Sequence, residues 1–479
     1  MSSESLHDPV NVDEVMGRLR AYREHDAPTH GGRVLSYVYD HGRPELDEVA
    51  AQAMRLLQPV NGLDPTTFPS VALMEADLVS FGRAMLHGPA ATGSVTSGGT
   101  ESCLLAVKAA RDLWVARGGA GRPRLVVSSS THAAFHKAAL YFGLDMTVVP
   151  VDVRSGRAPA PALVEALGAD VALVVVSAPS YPHGVVDAVA AVAGAAADRG
   201  IPCHVDACVG GWVLPFWEDS GGELLPQWDF RVRGVSSISA DIHKYGYVPK
   251  GASLLLFADG VLDLARYFAV TDWLGYPVVN PTMLGTRSAT SLAAAWAVVQ
   301  TLGTEGYAAL TRRVVTATTA VVEAVEAIEG LRVLGERQGP LVAVATDEAV
   351  DVGRRVDPLL WTAAVARRGF VLQGQPAMSQ ADGSRVPHTA HLTITPVTER
   401  LLAELLPALV EASDEVRGQA LPSPETLLGN GIPDPVALAD GARAGGDLDL
   451  TTVLSLIEAL PRADSAVLLS AFLQRFTAP

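Results

Sequence analysis

Lysine is scarce in this sequence: Lys108, Lys137, Lys244 and Lys250 are the only four in 479 residues. Charge as a whole is thin, at 18% of residues, and it leans acidic, with a net charge of −16. That balance disfavours nucleic acid or an anionic membrane surface as the main partner, while leaving room for a local basic site that takes a phosphate. Cysteine is nearly absent. Cys103, Cys203 and Cys208 make an odd count without metal-ligand spacing, which excludes a disulfide scaffold and fits a reduced, intracellular chain. Met1 to Arg23 is polar and charged, with no signal-type apolar region. The Val185–Ala197 stretch contains Asp187 and is too short to span a bilayer. These absences predict a cytoplasmic protein with no membrane span. No H-x-x-E-H-type cluster occurs, so a metal-dependent hydrolase lacks its ligands and no metal site is expected.

What is present is a large apolar inventory. Hydrophobic residues make up 49% of the chain, which suits a well-buried globular protein and argues against disorder. The length exceeds one simple core and predicts two or three domains. Residues 10–23 have helical spacing, with Val12, Val15, Met16 and Leu19 on one side. Further helices are predicted over 46–57 and 70–86, separated by a loop at 61–69 that two prolines and a glycine keep irregular. From Gly93 to Phe257, apolar runs at 125–128, 147–150, 172–177, 202–205, 234–238 and 253–257 alternate with helical stretches. Such runs indicate a mostly parallel sheet covered on both faces, with ligands bound at the carboxyl ends of its strands. Helices at 292–302 and 307–329 lead to a smaller unit, with strands predicted at 341–345, 370–372 and 391–395 and helices at 357–368 and 398–412. From Leu421 to Gly446 the sequence is Pro/Gly-rich, and it ends in two periodic helices, 450–459 and 464–476.

Four short motifs stand on loops after predicted strands or at a helix start. In Ser237-Ile238-Ser239-Ala240-Asp241-Ile242-His243-Lys244-Tyr245-Gly246, an apolar run ends in a turn that delivers a rare lysine beside a histidine. A lysine in a partly desolvated pocket can be a neutral amine able to form a Schiff base. Thr96-Ser97-Gly98-Gly99-Thr100-Glu101 opens a helical run. Small residues there let backbone N–H groups converge on a phosphate, although the string also suits an ordinary capped helix start. His132, in Thr131-His132-Ala133-Ala134-Phe135, has small neighbours that leave room for a flat ring; alone it reads as a structural histidine. Asp206 ends the apolar run at 202–205 and, if buried, needs hydrogen bonds or a cationic partner. A protonated pyridine nitrogen would serve, and so would capping of the next turn.

Together and in this order, the motifs resemble the group II pyridoxal-phosphate decarboxylase superfamily of fold-type I, and within it the sphingosine-1-phosphate lyase-like branch. Longer strings carry the likeness: Val95–Ser102, Lys137-Ala138-Ala139, Pro182-His183-Gly184, His204–Cys208 with Gly210-Gly211, Pro249-Lys250-Gly251 and Thr271-Asp272-Trp273. The resemblance implies an α/β fold: a large, mostly parallel seven-stranded sheet domain between helices, plus a smaller α+β C-terminal domain. It divides the chain into an N-terminal segment contributing to dimer and active site (1–60), a large cofactor-binding domain (61–305), a small domain (306–420) and a C-terminal helical extension (421–479). It implies pyridoxal 5'-phosphate as cofactor, held by Lys244 as a Schiff base. Asp206 would pair with the ring nitrogen, His132 would stack on the ring, and Gly99, Thr100, Ser239 and His243 would surround the phosphate. Thr286, in Leu284-Gly285-Thr286-Arg287-Ser288, would reach that phosphate from the neighbouring subunit, which implies a homodimer with shared active sites.

The activity implied is cleavage of the Cα–Cβ bond of a β-hydroxy amine, a retro-aldol through an external aldimine. Decarboxylation of an amino acid stays open, as does an inactive cofactor-binding relative. Tyr39 and Lys250 match a tyrosine and a lysine that hold the substrate's phosphate in such lyases. Tyr39, His183 and Lys250 are the candidates to take the hydroxyl proton. Where those lyases carry a histidine, the loop Asn61-Gly62-Leu63-Asp64-Pro65 has Asp64. A carboxylate close to a phosphate dianion costs several kcal/mol unless neutralised. Asp64 therefore either favours a substrate with a cationic or hydroxylated tail or points to solvent.

Overall fold

Seven strands build the central sheet of the computed structural model, which describes residues 11–421, 434–443 and 450–478. They are β1 (Thr92–Thr96), β2 (Arg124–Ser128), β3 (Asp145–Val149), β4 (Val171–Ser177), β5 (Cys203–Asp206), β6 (Val235–Ala240) and β7 (Ser253–Phe257), in the order β1-β7-β6-β5-β4-β2-β3. Strands β2 to β6 pair in parallel, and β7 is antiparallel to both β6 and β1. β4 and β7 are buried along their whole length, as a sheet with covered faces requires. The loops after β2, β4, β5 and β6 consequently gather at one edge. Register places the polar ends of these strands: Asp206 closes β5 and pairs with Ser177 of β4 and Ser239 of β6. Sequence pattern hid β1, because Thr92-Gly93-Ser94-Val95-Thr96 has a single large apolar side chain. Its glycine is needed, since a Cβ on Gly93 would lie 2.0 Å from the Leu255 carbonyl oxygen.

The predicted helices form at Pro44–Leu57, Pro69–Met85 and Gly99–Ala116. Helix Val12–Arg23 also forms, but it buries none of its residues, so its apolar side faces outward; Val10 lies outside the described residues. The two helices expected at 292–302 and 307–329 form as two helical segments within Thr290–Glu326, separated by a kink at Gly303, whose φ of +53° and ψ of −173° are not helical and suit a glycine. This element buries one side against the large sheet's helices and carries the chain to a second, four-stranded antiparallel sheet. Its order is Leu331–Val333, Leu341–Thr346, Thr389–Thr393, Gln373–Gln375.

The strand expected at 370–372 joins a different partner. Val371 exchanges backbone bonds with the N-terminal segment, donating to the Arg33 carbonyl and accepting from the Leu35 amide, both at 2.8 Å. Leu35 in turn accepts from the Thr393 amide at 2.7 Å. The small sheet's edge strand therefore begins only at Gln373, and residues 33–35 are stitched onto it, which carries Tyr37 and Tyr39 to the boundary between the two sheets. Of the Pro/Gly-rich stretch, residues 422–433 and 444–449 lie outside the described residues, while Pro435–Arg443 form an unexpected helix. Helices Leu450–Ala459 and Arg462–Thr477 follow. Among the described residues, no helix is long and apolar enough to cross a membrane.

Candidate active site

At the carboxyl edge of the sheet lies a cavity of about 590 Å³, lined by Gly99, Thr100, His132, Asp206, His243, Lys244, Tyr39 and Lys250. Lys244 enters from the turn after β6, and its Nζ is 3.0 Å from Asp241 Oδ2. Burial alone would disfavour its charge, but the Asp241 carboxylate outweighs that and holds the pKa well above the ordinary lysine value. The neutral amine expected from the sequence is thus an ammonium here, paired with a buried carboxylate three residues upstream. Asp241, against its own burial, is kept ionised by Lys244 and then by His243.

Asp206 is 7% exposed, and its Oδ1 accepts from the Cys208 amide at 3.1 Å. Behind it, His204 is fully buried, with Nδ1 2.8 Å from Ser237 Oγ and Nε2 3.1 Å from Ser239 Oγ. Burial pushes the His204 pKa down to about 4, so this ring stays neutral. Cys103, Asp206 and Cys208 bring their ligand atoms within 4.8 Å of one another. Both thiols are held protonated, Cys103 by burial and Cys208 by Cys103 and then burial, which suits packing beneath a ring more than an anionic ligand set. His132 caps helix Ala133–Phe142, its Nδ1 accepting from the Ala134 amide at 3.2 Å, so a neutral ring carries its proton on Nε2.

Lys250 lies across the cavity with Nζ 4.7 Å from the centre of the Tyr39 ring, and it donates to the His243 carbonyl at 3.1 Å. Burial, then repulsion from Lys244, lowers its pKa to about 8. Burial raises the Tyr39 pKa above the usual phenol value.

Four expected residues lie elsewhere within the one chain. Ser239 is completely buried behind Asp206, bonded to His204, and is not on the cavity wall. His183 lines a neighbouring cavity of about 220 Å³, with Nδ1 on the Gly156 carbonyl at 3.2 Å. Thr286 lines a cavity of about 260 Å³ on the far side of Ser97 and Glu101. Asp64 turns onto its own loop, accepting from the Thr66 hydroxyl at 2.6 Å, the Thr67 hydroxyl at 2.7 Å and the Thr66 amide at 2.8 Å, and these bonds lower its pKa to about 2.

A conserved-domain pattern described as the pyridoxal-dependent decarboxylase conserved domain matches residues 49–346. The chain belongs to the pyridoxal-dependent decarboxylase family. Sphingosine-1-phosphate lyase 1 of Rattus norvegicus is 38% identical over 346 residues, which is 71% of this chain and 59% of that protein's length. The solved Burkholderia pseudomallei sphingosine-1-phosphate lyase superposes with a TM-score of 0.80 at 33% identity, covering 86% of this chain and 93% of that one. Lactobacillus brevis glutamate decarboxylase shares the fold, with a TM-score of 0.74 at 21% identity and coverage of 88% and 97%.

The cofactor of this family is pyridoxal phosphate, and the cavity fits it. His243 Nδ1 is buried without a hydrogen-bond partner, a donor or acceptor in want of a ligand. Beside it begins the 18-residue helix Gly99–Ala116, whose first N–H groups have no intrahelical acceptor. Gly99 leaves this end open, because a Cβ there would sit 2.6 Å from Asp241 Oδ1 and 2.8 Å from Cys208 Sγ. A helix start with open N–H groups, a buried lysine and a buried carboxylate thus share one cavity. Among the further wall residues, Tyr37, Tyr181 and Gln373 stood outside the sequence motifs, and Asp241 stood in the Lys244 string with no role assigned to it. Asp241 was signalled by its spacing from Lys244, and Tyr181 by its place before Pro182-His183-Gly184. Gln373 carried no local signal.

Proposed function

We propose that the protein is a pyridoxal phosphate-dependent carbon–carbon lyase acting on a β-hydroxy amine that carries an anionic group. The observation that carries the reading is the pairing of Lys250 with Tyr39 in the Lys244–Asp206 cavity: a cation and a phenol facing the reacting amine. The relatives named sphingosine-1-phosphate lyase support it. When bound, pyridoxal phosphate condenses with an amine and withdraws electrons from a bond at the amine-bearing carbon. Lys244 Nζ is the residue to carry it, after its proton passes out of the Asp241 pair. Asp206 would keep the ring nitrogen protonated, while His132 supplies a flat face.

The Gly99–Thr100 end of the helix and His243 would hold the phosphate. Ser239 acts one layer back, hydrogen-bonded to the buried His204 ring at 3.1 Å and to Asp206 Oδ1 at 3.5 Å. With a pKa of about 8, Lys250 is charged enough at neutral pH to bind an anion and close enough to neutrality to take a hydroxyl proton. Tyr39, whose proton is held more tightly, serves as a donor. Thr286 lies apart from its own Lys244, which supports a homodimer whose loops complete each other's sites. Three unpaired, buried cysteines support a reducing, cytoplasmic setting.

Product mass spectrometry on the cofactor-loaded enzyme tests this reading, with phosphorylated amino alcohols, β-hydroxy amino acids and plain α-amino acids as substrates. An aldehyde plus a smaller amine, lost in Lys244→Ala, is the expected result. Products lighter by carbon dioxide would overturn it in favour of decarboxylation.

A further inference from the structure

The stretch from Gln373 to Thr389 supplies Gln373 to the wall of the Lys244 cavity and Gln375, Met378 and Thr389, among others, to the neighbouring cavity beside His183, and it is gripped from both sides. On the outside, Glu458 of helix Leu450–Ala459 accepts from the Ala377 amide at 2.9 Å and from Arg385 Nη2 at 3.1 Å, and it meets His388 Nδ1 at 3.2 Å. The other His388 nitrogen, Nε2, lies 3.1 Å from Asp357 Oδ2 at the start of helix Pro358–Arg367. Arg462 adds a hydrogen bond to the Ser379 carbonyl. One turn before Glu458, Leu454 presses on the strand itself: a Cβ on Gly374 would come within 2.6 Å of its Cδ1. On the inside, Gln380 reaches the large sheet. Its amide nitrogen donates to the Val151 carbonyl at 2.8 Å, and its oxygen accepts from the Val151 amide at 2.9 Å and from the Ser129 hydroxyl. Ser129 stands three residues before His132. At the stretch's start, Gln373 Oε1 accepts from the Tyr181 hydroxyl at 2.6 Å inside the cavity.

We propose that the C-terminal helix Leu450–Ala459 is a clasp on this stretch, and that Glu458 is the positioning residue that seats Gln373 and Gln380 and so sets the substrate wall of the Lys244 cavity. Glu458 touches neither the cavity nor the residues that fit the cofactor, so it acts only through the 373–389 stretch. The clasp also lies wholly beyond the family pattern, which ends at residue 346. Its charge logic is consistent within itself. Glu458 receives a backbone N–H, a guanidinium and an imidazole at once, and losing the carboxylate would leave the other three donors without it. The inference rests on the lyase reading only in taking this cavity to be where the substrate sits.

Hydrogen–deuterium exchange on the full-length, cofactor-loaded protein tests the clasp without any substrate. In Glu458→Ala, peptides covering 373–389 should exchange about tenfold faster, while β4, β5 and β6 keep their protection. With any amine the enzyme turns over, KM should rise about fivefold while kcat and the cofactor Kd stay within about twofold. Glu458→Gln, which keeps the Ala377 bond and loses the charge, should fall between Glu458→Ala and wild type. Wild-type exchange at 373–389 in Glu458→Ala would overturn the clasp, as would faster exchange with an unchanged KM. Should Glu458→Ala fail to fold, Leu454→Ala loosens the same strand by packing alone and is held to the same two readouts. Because the exchange result needs no substrate, failure of the clasp and failure of the lyase reading stay distinguishable.

Discussion

Two lysines share one cavity with opposite electrostatics, and that difference assigns their tasks. Lys244 has Asp241 at 3.0 Å and is held charged; Lys250 has no carboxylate so near and is pushed down to about 8. Their mutual repulsion lowers Lys250 further than burial alone would. For binding an anionic substrate, the sign is fixed. The Lys250 ammonium is present below pH 8 and is lost as pH rises through that value, so the affinity it provides is lost in the same window. We expect kcat/KM for a phosphorylated amino alcohol, taken relative to its unphosphorylated counterpart, to fall about tenfold per pH unit above pH 8. In Lys250→Ala this ratio should be low and flat. A wild-type ratio that stays level to pH 9.5 would remove Lys250 from the anion site. The same scale shows what sequence can and cannot reveal. Asp241 stands in the string around Lys244, so its role was within reach of spacing; Gln373 reaches the wall only because β-strand pairing with His391 places it there, and no local pattern encodes that.

At the scale of elements, the cradle depends on the helix Gly99–Ala116 beginning where β1 ends and on β5 and β6 sitting in register. The alternation of apolar runs made the parallel part of the sheet legible, because a strand buried on both faces has no choice but to be apolar. β1 was not legible, since a strand that begins on the surface and carries glycine and hydroxyl residues looks like a loop. The N-terminal stitch at Arg33–Leu35 was hidden for a different reason: its partner Val371 is more than three hundred residues away. Gly99 is the place where the element-level design can be tested. An added methyl meets a buried carboxylate at 2.6 Å and a buried sulfur at 2.8 Å, and neither is the free end of a flexible side chain. Gly99→Ala should destabilise the fold by about 1–3 kcal/mol, the usual cost of overpacking. It should also raise the cofactor Kd about tenfold, by displacing Asp241 and the helix end, as read by absorbance titration with pyridoxal phosphate. Unchanged affinity would mean that this helix end does not contact the phosphate.

On the scale of the whole molecule, two loops that lie apart from their own Lys244 are hydrogen-bonded to each other. Asn61 bridges Ser288, the Gly62 amide donates to the Arg287 carbonyl at 2.7 Å, and Arg287 Nη1 holds the Val95 carbonyl at 2.9 Å. Whatever site Thr286 serves, the Asp64 loop is tied to the same segment, and a site completed across a dimer would receive both. Mixing variants separates this arrangement from a self-contained one. Lys244→Ala and Thr286→Ala are each expected to be nearly inactive alone. Random exchange of subunits between them gives about half heterodimers, each with one site that is doubly altered and one that is intact, so about a quarter of wild-type activity should return. Sites built within single chains would recover nothing, because every protomer would keep its own defect. The recovered site contains one wild-type Asp64, so placing Asp64→His on the Thr286→Ala chain, and then instead on the Lys244→Ala chain, shows which protomer's loop reads the substrate. Only the second placement should alter the rescued activity, since only that chain lends its 61–65 and 284–288 loops to the intact site.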